Sequence, residues 1–261
     1  MLNFDFVKPA TVADAVQALS VDGAQALSGG QTLTPTMKQR LATPSVLVSL
    51  TGIAALQGVS SGADGLTVGA ATTHAAVAAA VAKTYPALAV LAGGIGDPAV
   101  RNRGTIGGSL ANNDPAACYP AAVLASGATV ITNKRRIAAD DYFQGMFATA
   151  LDEGEIITAV IFPTPSKAAY VKFNQPASRF ALTGVFVARY ATGVRVAVTG
   201  ASNNGVFRWT EAEAALSKDF SAGAIAGLKA SSKDMINDLH GTAEYRAHLV
   251  QVLTGRAVSA A

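Results

Sequence analysis

Thiols, imidazoles and charge are all scarce in this 261-residue chain, which has one cysteine, three histidines and 14% charged residues. The lone thiol, Cys118, rules out an internal disulfide and leaves no CxxC pair for zinc, haem or an iron-sulfur cluster. Any such centre must sit on another chain. His74, His240 and His248 show neither HxxxH nor HExxH spacing, which speaks against a metal site. His74, after Thr72-Thr73 at a helix start, reads as a packed or capping residue ahead of the alternative that it faces a bound ligand. A formal net charge of +3 is a mild excess and not a basic stripe, so nucleic acid is excluded as a partner. The most apolar stretches, 75–82 and 87–96, are too short for the roughly 18 residues that span a bilayer. The first residues carry Asp5 and no apolar core behind a basic start, so no secretion signal is read and a cytoplasmic location is expected.

What is present is apolar and glycine-rich: half of the residues are hydrophobic and 25 are glycine. Soluble domains carry about 25% charged residues, so an unusual share of this surface is expected to lie under a partner or a large ligand. The length suits one or two domains. Phe4 and Phe6 alternate as in a strand, and Thr11 with Asp14 forms an approximate capping box for a helix carrying Val12, Ala15, Val16 and Leu19 on one face. Strands are predicted at 24–30, 45–50, 65–73, 128–132 and 155–163, and helices from Pro35 and over 74–83. Leu91–Asp114 reads as a long glycine-rich loop, and a loop of that length is usually functional. Pro163 and Pro165 mark a boundary. Beyond it, 181–190 and 193–202 read as a hairpin around Gly193, followed by helices near 210–217 and 242–254.

Three glycine clusters carry the chemical information. Ser28-Gly29-Gly30-Gln31-Thr32 lies between a strand and a helix start, where converging backbone N–H groups make either a diphosphate nest or a tight turn. Gly94-Ile95-Gly96-Asp97-Pro98-Ala99 spells GxGxxA, with Asp114 about 20 residues on, yet Gly104, Gly107 and Gly108 interrupt the continuous helix that a Rossmann turn must launch. It reads as a decoy. Arg101-Asn102-Arg103-Gly104-Thr105-Ile106-Gly107-Gly108-Ser109 is either a second anion cradle or a surface loop with solvated arginines. Two cradles in one domain suit a long diphosphate ligand such as a dinucleotide.

The segments ALSGGQTLTPTMKQRLATPSVLVSL, IGDPAVRNRGTIGGSLANNDPAACYPAAVL and YVKFNQPASRFALTGVFVA, in this order, resemble the FAD-binding medium subunit of the xanthine dehydrogenase/carbon monoxide dehydrogenase family of molybdenum hydroxylases. The resemblance covers most of the chain. It implies an α+β fold: a p-cresol methylhydroxylase-type FAD-binding domain over 1–165, made of two α/β subdomains (about 1–54 and 55–165), then a C-terminal α+β domain over 166–261 with an antiparallel sheet. By the same resemblance, Ser28, Gly29, Gly30, Gln31, Thr32 and Leu33 form one FAD-diphosphate loop, and Thr105, Ile106, Gly107, Gly108 and Ser109 the other. Ile157 packs near the flavin ring, and Gln175–Gly184 governs access of an electron acceptor.

Two departures matter. Cys118 stands where many relatives have an acid that hydrogen-bonds FAD, so Asp114 is the expected substitute acceptor. Asn174 stands where others have a lysine that tunes the flavin, with Lys172 two residues away. The resemblance further implies partners: a small subunit with 2Fe-2S clusters, a large subunit with the molybdenum cofactor, and NAD, a quinone or dioxygen as acceptor. A heterotrimer or its dimer is the expected state. No general acid or base is expected, because the flavin performs the electron transfer while the protein holds and tunes it. Two rivals are a self-sufficient flavin-dependent oxidoreductase and a non-catalytic scaffold that has lost FAD. The retained SGGQT and GTIGGS argue against the second, since glycines are entropically costly without a ligand to approach.

Overall fold

A Thr11 hydroxyl that accepts from the Asp14 N–H at 3.1 Å and donates to its carboxylate at 2.7 Å starts the first helix, Val12–Leu19. The computed structural model describes all residues, Met1–Ala261. Helix Val12–Leu19 links Asp5–Val7 to Ala24–Leu27, and these two strands flank Val46–Ser49 in a three-stranded parallel sheet. The β-branched run at 46–49 takes the central place because it is the strand that can be buried.

The second sheet is antiparallel and five-stranded, in the order Val59–Gly62, Gly65–Gly69, Ile157–Phe162, Thr129–Thr132, Arg136–Ala138. Its central strand arrives some 90 residues after its neighbour Gly65–Gly69, and the intervening chain folds into helices that pack on the sheet. Tyr119–Ala125 is buried at all seven positions. Gly58-Val59-Ser60-Ser61-Gly62 has the GxSxG spelling of a nucleophile elbow but runs along the edge strand Val59–Gly62 into a hairpin. No strand-to-helix elbow forms there.

The third sheet is a four-stranded antiparallel one: Lys167–Asn174, Ala181–Tyr190, Gly193–Thr199 and Phe207–Arg208. Gly193, at φ +135°, closes the tight hairpin opposite Tyr190. Side chains of a strand alternate between faces. Phe186 and Ala188 accordingly join the core under Tyr119–Ala125, whereas Val185 and Val187 join a second core under helix Ala243–Ala260. That two-sided burial accounts for the continuous apolar run at 181–188. With 33% of residues helical and 27% in mostly antiparallel strands, the chain is α+β.

Leu91–Asp114 departs from the loop expected of it. It contains the end of helix Pro86–Gly93, the turn Pro98–Arg101 and the helix Ile106–Asn112. Capping overrides glycine's low helix propensity: Asp97 accepts from Val100 N–H at 2.9 Å, and Thr105 accepts from Gly108 N–H at 3.2 Å. The helix expected from Pro35 starts at Leu33 instead, with Pro35 still among the first four positions, whose N–H groups have no partner within a helix. The GxGxxA spelling at 94–99 is a turn that follows a helix, not a strand, which removes the dinucleotide reading of that motif.

Candidate functional site

Strand Ala24–Leu27 hands over to helix Leu33–Lys38 through the loop 28–32, in which Gly30 adopts φ +69°. The N–H groups of Gly29, Gly30, Gln31, Thr32 and Leu33 find no acceptor in the chain. Five adjacent unmatched donors form a nest for an anion. This loop lies directly against the other glycine loop. Ser28 and Thr105 share a hydroxyl–hydroxyl hydrogen bond of 2.7 Å, and a Cβ on Gly29 would fall 2.2 Å from the Arg103 carbonyl oxygen.

The second loop is built differently. Ile106 N–H donates to the Thr72 carbonyl, Gly107 N–H to that of Ala70 at 2.8 Å, and Gly108 N–H to the Thr105 hydroxyl. The amides of residues 106–109 are already matched, so beyond the Thr105 N–H the loop offers the hydroxyls of Thr105 and Ser109 and a glycine surface that keeps the cleft open. Gly107 is glycine because a Cβ there would meet Ala70 at 2.7 Å. Arg101 and Arg103 do not reach the cleft: the Arg101 guanidinium donates to the Ile95 and Gly96 carbonyls, each at 3.0 Å, and ties down their turn. The anion site is made by backbone rather than by arginine.

The two loops open onto a cleft of about 480 Å³. Fourteen of the sixteen residues named from sequence line it: Ser28 to Leu33, Thr105, Gly107, Gly108, Ser109, Asp114, Cys118, Ile157 and Lys172. Ile106 does not; it is fully buried in the core beneath. Asn174 does not either. It is exposed at the strand end, where the pairing with Ala181–Tyr190 shifts register past Leu182. The lysine that reaches the cleft is Lys172, whose ammonium donates to the carbonyls of Gly94 at 2.8 Å and Arg179 at 3.0 Å and lies 3.6 Å from the Cys118 sulfur. It has no carboxylate partner. Asp114 accepts from Ala116 N–H at 2.8 Å, which holds the turn leading to Cys118.

Leu151, Ile156 and Ile157 make an apolar wall. Beside them Glu155, its side chain fully buried, accepts from Thr132 at 2.6 Å, from Arg135 at 3.0 and 3.2 Å, and from Asp152 N–H at 2.8 Å. Burial alone would raise its pKa, but these hydrogen bonds outweigh it and bring the pKa down to about 2. Glu155 and His74 are cleft residues that the motif reading misses; only local packing, invisible in sequence, brings them there.

Unmatched amides for an anion, hydroxyls beside them and an apolar wall fit a long cofactor that carries a diphosphate at one place and a planar ring at another. The fold and cleft thus define a dinucleotide-cofactor binder of non-Rossmann type. Residues 2–165 match the family model described as the FAD binding domain in molybdopterin dehydrogenase, and the chain belongs to that family. It is 37% identical to the nicotine 6-hydroxylase medium subunit of Paenarthrobacter nicotinovorans, over 97% of this chain and 95% of that protein. It is 34% identical to the carbon monoxide dehydrogenase medium chain of Afipia carboxidovorans, over 99% and 96%. Among solved structures, CO dehydrogenase from Oligotropha carboxidovorans superposes with a TM-score of 0.90 at 32% identity, covering 99% of this chain and 98% of that one. Quinoline 2-oxidoreductase from Pseudomonas putida 86 gives 0.89 at 28% identity, covering 100% and 97%. No helix is long and apolar enough to cross a membrane.

Proposed function

We propose that this chain is the FAD-binding electron-transfer subunit of a cytoplasmic molybdenum hydroxylase or dehydrogenase. In that complex electrons leave 2Fe-2S clusters on a small partner subunit, a large subunit carries the molybdenum cofactor, and NAD, a quinone or dioxygen is the external acceptor. The observation that carries the reading is the single cleft that combines unmatched amides at 29–33 with the Leu151, Ile156 and Ile157 wall. When bound, FAD supplies reversible electron uptake at its ring. The chain's own residues bind and orient. The 28–33 amides and the Thr105 and Ser109 hydroxyls hold the diphosphate, Asp114 and Cys118 meet the cofactor's polar atoms, and Ile157 packs on the ring. The division into 1–165 and 166–261, with subdomains of about 1–54 and 55–165, is supported by the sheets, none of which crosses these boundaries.

An affinity pull-down of the chain from its native cytoplasm, with a visible spectrum and subunit identification, tests the reading. The expected eluate is yellow and contains an iron-sulfur protein and a large molybdenum-cofactor protein. A yellow chain eluting alone and turning over an organic donor would replace it with a self-sufficient flavoenzyme. A colourless chain that FAD does not restore would mark a scaffold.

Lys172 takes the tuning role in this reading, because an ammonium with only neutral partners keeps its full charge beside the cofactor. Lys172→Met is expected to lower the bound flavin's midpoint potential on the order of tens of millivolts. Spectroelectrochemical titration reads the shift, and an unchanged potential removes Lys172 from that role.

A further inference from the structure

His74 opens helix His74–Ala80, and its backbone N–H donates to the Gly104 carbonyl at 2.9 Å, so the helix start is fastened to the second glycine loop. Thr73, not His74, caps the helix, accepting from Ala76 N–H. The imidazole itself is 5% exposed and lies against Tyr119, with ring centroids 5.3 Å apart. A Cβ on Gly104 would stand 2.5 Å from Nε2, so glycine there is what lets the ring edge approach the loop. Burial, reinforced by the Arg101 charge, lowers the ring's pKa to about 4, and the ring is neutral at physiological pH.

A neutral imidazole has one N–H to donate and one lone pair to accept with. Nδ1 is fully buried without a partner, whereas Nε2, which makes no hydrogen bond within the chain either, keeps access to the cleft that His74 lines. Nε2 is therefore the nitrogen that a group in the cleft can reach. Native structures rarely leave buried polar groups orphaned, because each forfeits its hydration without replacement. A phenyl ring in the same place would keep the contact with Tyr119 and avoid the loss. Of the four buried side-chain groups without a partner, those of Tyr119, Tyr170 and Arg246 do not border the FAD cleft; His74 does.

We propose that His74 is a cofactor-positioning residue whose neutral imidazole completes its hydrogen bonding on a polar group of the bound FAD. The inference rests on the FAD reading of the cleft and adds to it a specific partner outside both glycine loops. It is a hydrogen bond and not an ion pair, so it orients the cofactor without adding charge to the site.

The test uses the full chain stripped of flavin, with FAD affinity read from flavin fluorescence and apo-chain stability from thermal unfolding. His74→Phe is expected to raise the FAD Kd about five- to tenfold, while the apo melting temperature stays level or rises because an orphaned polar group has gone. His74→Gln sets an amide near the Nε2 position and recovers most of the affinity, whereas His74→Asn, with its amide near the enclosed Nδ1, does not. Unchanged affinity in His74→Phe overturns the proposal. So does an apo chain that melts lower in all three variants with no rescue by either amide, which is the signature of packing alone. Failure of the unsubstituted chain to bind FAD is a different result and overturns the cofactor reading itself.

Discussion

Gly29→Ala is expected to weaken FAD binding roughly 10- to 100-fold while leaving the chain folded. The added Cβ would meet the Arg103 carbonyl oxygen at 2.2 Å, the Gly104 Cα at 2.6 Å and the Arg103 carbonyl carbon at 2.7 Å. All three are backbone atoms, which cannot turn aside as a flexible side chain would. The two glycine loops must therefore separate, and the 2.7 Å bond between Ser28 and Thr105 breaks with them. That displacement scatters the unmatched amides of 29–33 relative to the hydroxyls of Thr105 and Ser109. The fold survives because residues 28–33, which carry the substitution, lie outside the hydrophobic cores. Gly52→Ala, with nothing within 4 Å of its new methyl, is the control and keeps the unsubstituted Kd. Flavin-fluorescence titration of both variants decides the matter; equal affinity in Gly29→Ala would mean that loop contact does not shape the site.

Both loops were legible in sequence because their chemistry is local: successive glycines beside hydroxyls signal a close backbone approach whatever the rest of the chain does. The N-terminal capping box and the hairpin at Gly193 were legible for the same reason, each resting on a few adjacent residues. The helix Ile106–Asn112 was not, since Gly107 and Gly108 lower its intrinsic propensity and the reason for Gly107 lies at Ala70, more than thirty residues away. Which lysine or asparagine of strand Lys167–Asn174 faces the cleft was also out of reach. Lys172 and Asn174 share parity, and what separates them is position: Asn174 ends the strand exposed, while the Lys172 ammonium reaches the Gly94 carbonyl. Glu155 and His74 escaped because an acid next to two isoleucines, or a histidine after two threonines, has no motif; the burial that gives each its role comes from pairing across the five-stranded sheet and from the helix beside it.

The cleft also depends on chain beyond the residues that the family model matches. Lys172, Arg179 and Phe180 line it, and the Thr199 hydroxyl donates to the carbonyls of Pro115 at 3.0 Å and Ala117 at 2.7 Å. Gly200 N–H adds a 2.7 Å bond to Pro115. The C-terminal sheet thus grips the turn that carries Asp114 and Cys118. The segment 175–180 grows from the same sheet, and Lys172, which bonds to both the Arg179 and the Gly94 carbonyls, ties it to the cleft.

Glu155→Gln is expected to cost roughly 3 kcal/mol of folding stability at pH 7, and the cost is expected to shrink in acid. The folded carboxyl titrates near 2 against an ordinary 4.5, with burial opposing the shift and the bonds from Arg135, Asp152 N–H and Thr132 producing it. A depressed folded value means that the ionised group stabilises the fold fully above the unfolded value and loses that contribution as pH falls from about 4.5 toward 2. About half should remain near pH ~3. The glutamine keeps the shape and can still accept from Thr132, so what disappears is the charge; Arg135, with 46% of its side chain exposed, returns to water at little cost. Urea unfolding of both proteins at pH 7, 5 and 3 measures the gap, and a gap that stays constant across this range refutes the ionisation argument. The consequence reaches the cofactor because Glu155 anchors the segment whose next residues, Ile156 and Ile157, form the apolar wall, with Ile156 N–H held by the Asn133 side chain at 2.7 Å. A loosened wall should give the variant a smaller FAD-induced rise in melting temperature at pH 7 than the unsubstituted chain shows, and that difference should vanish together with the stability gap as the carboxyl is protonated.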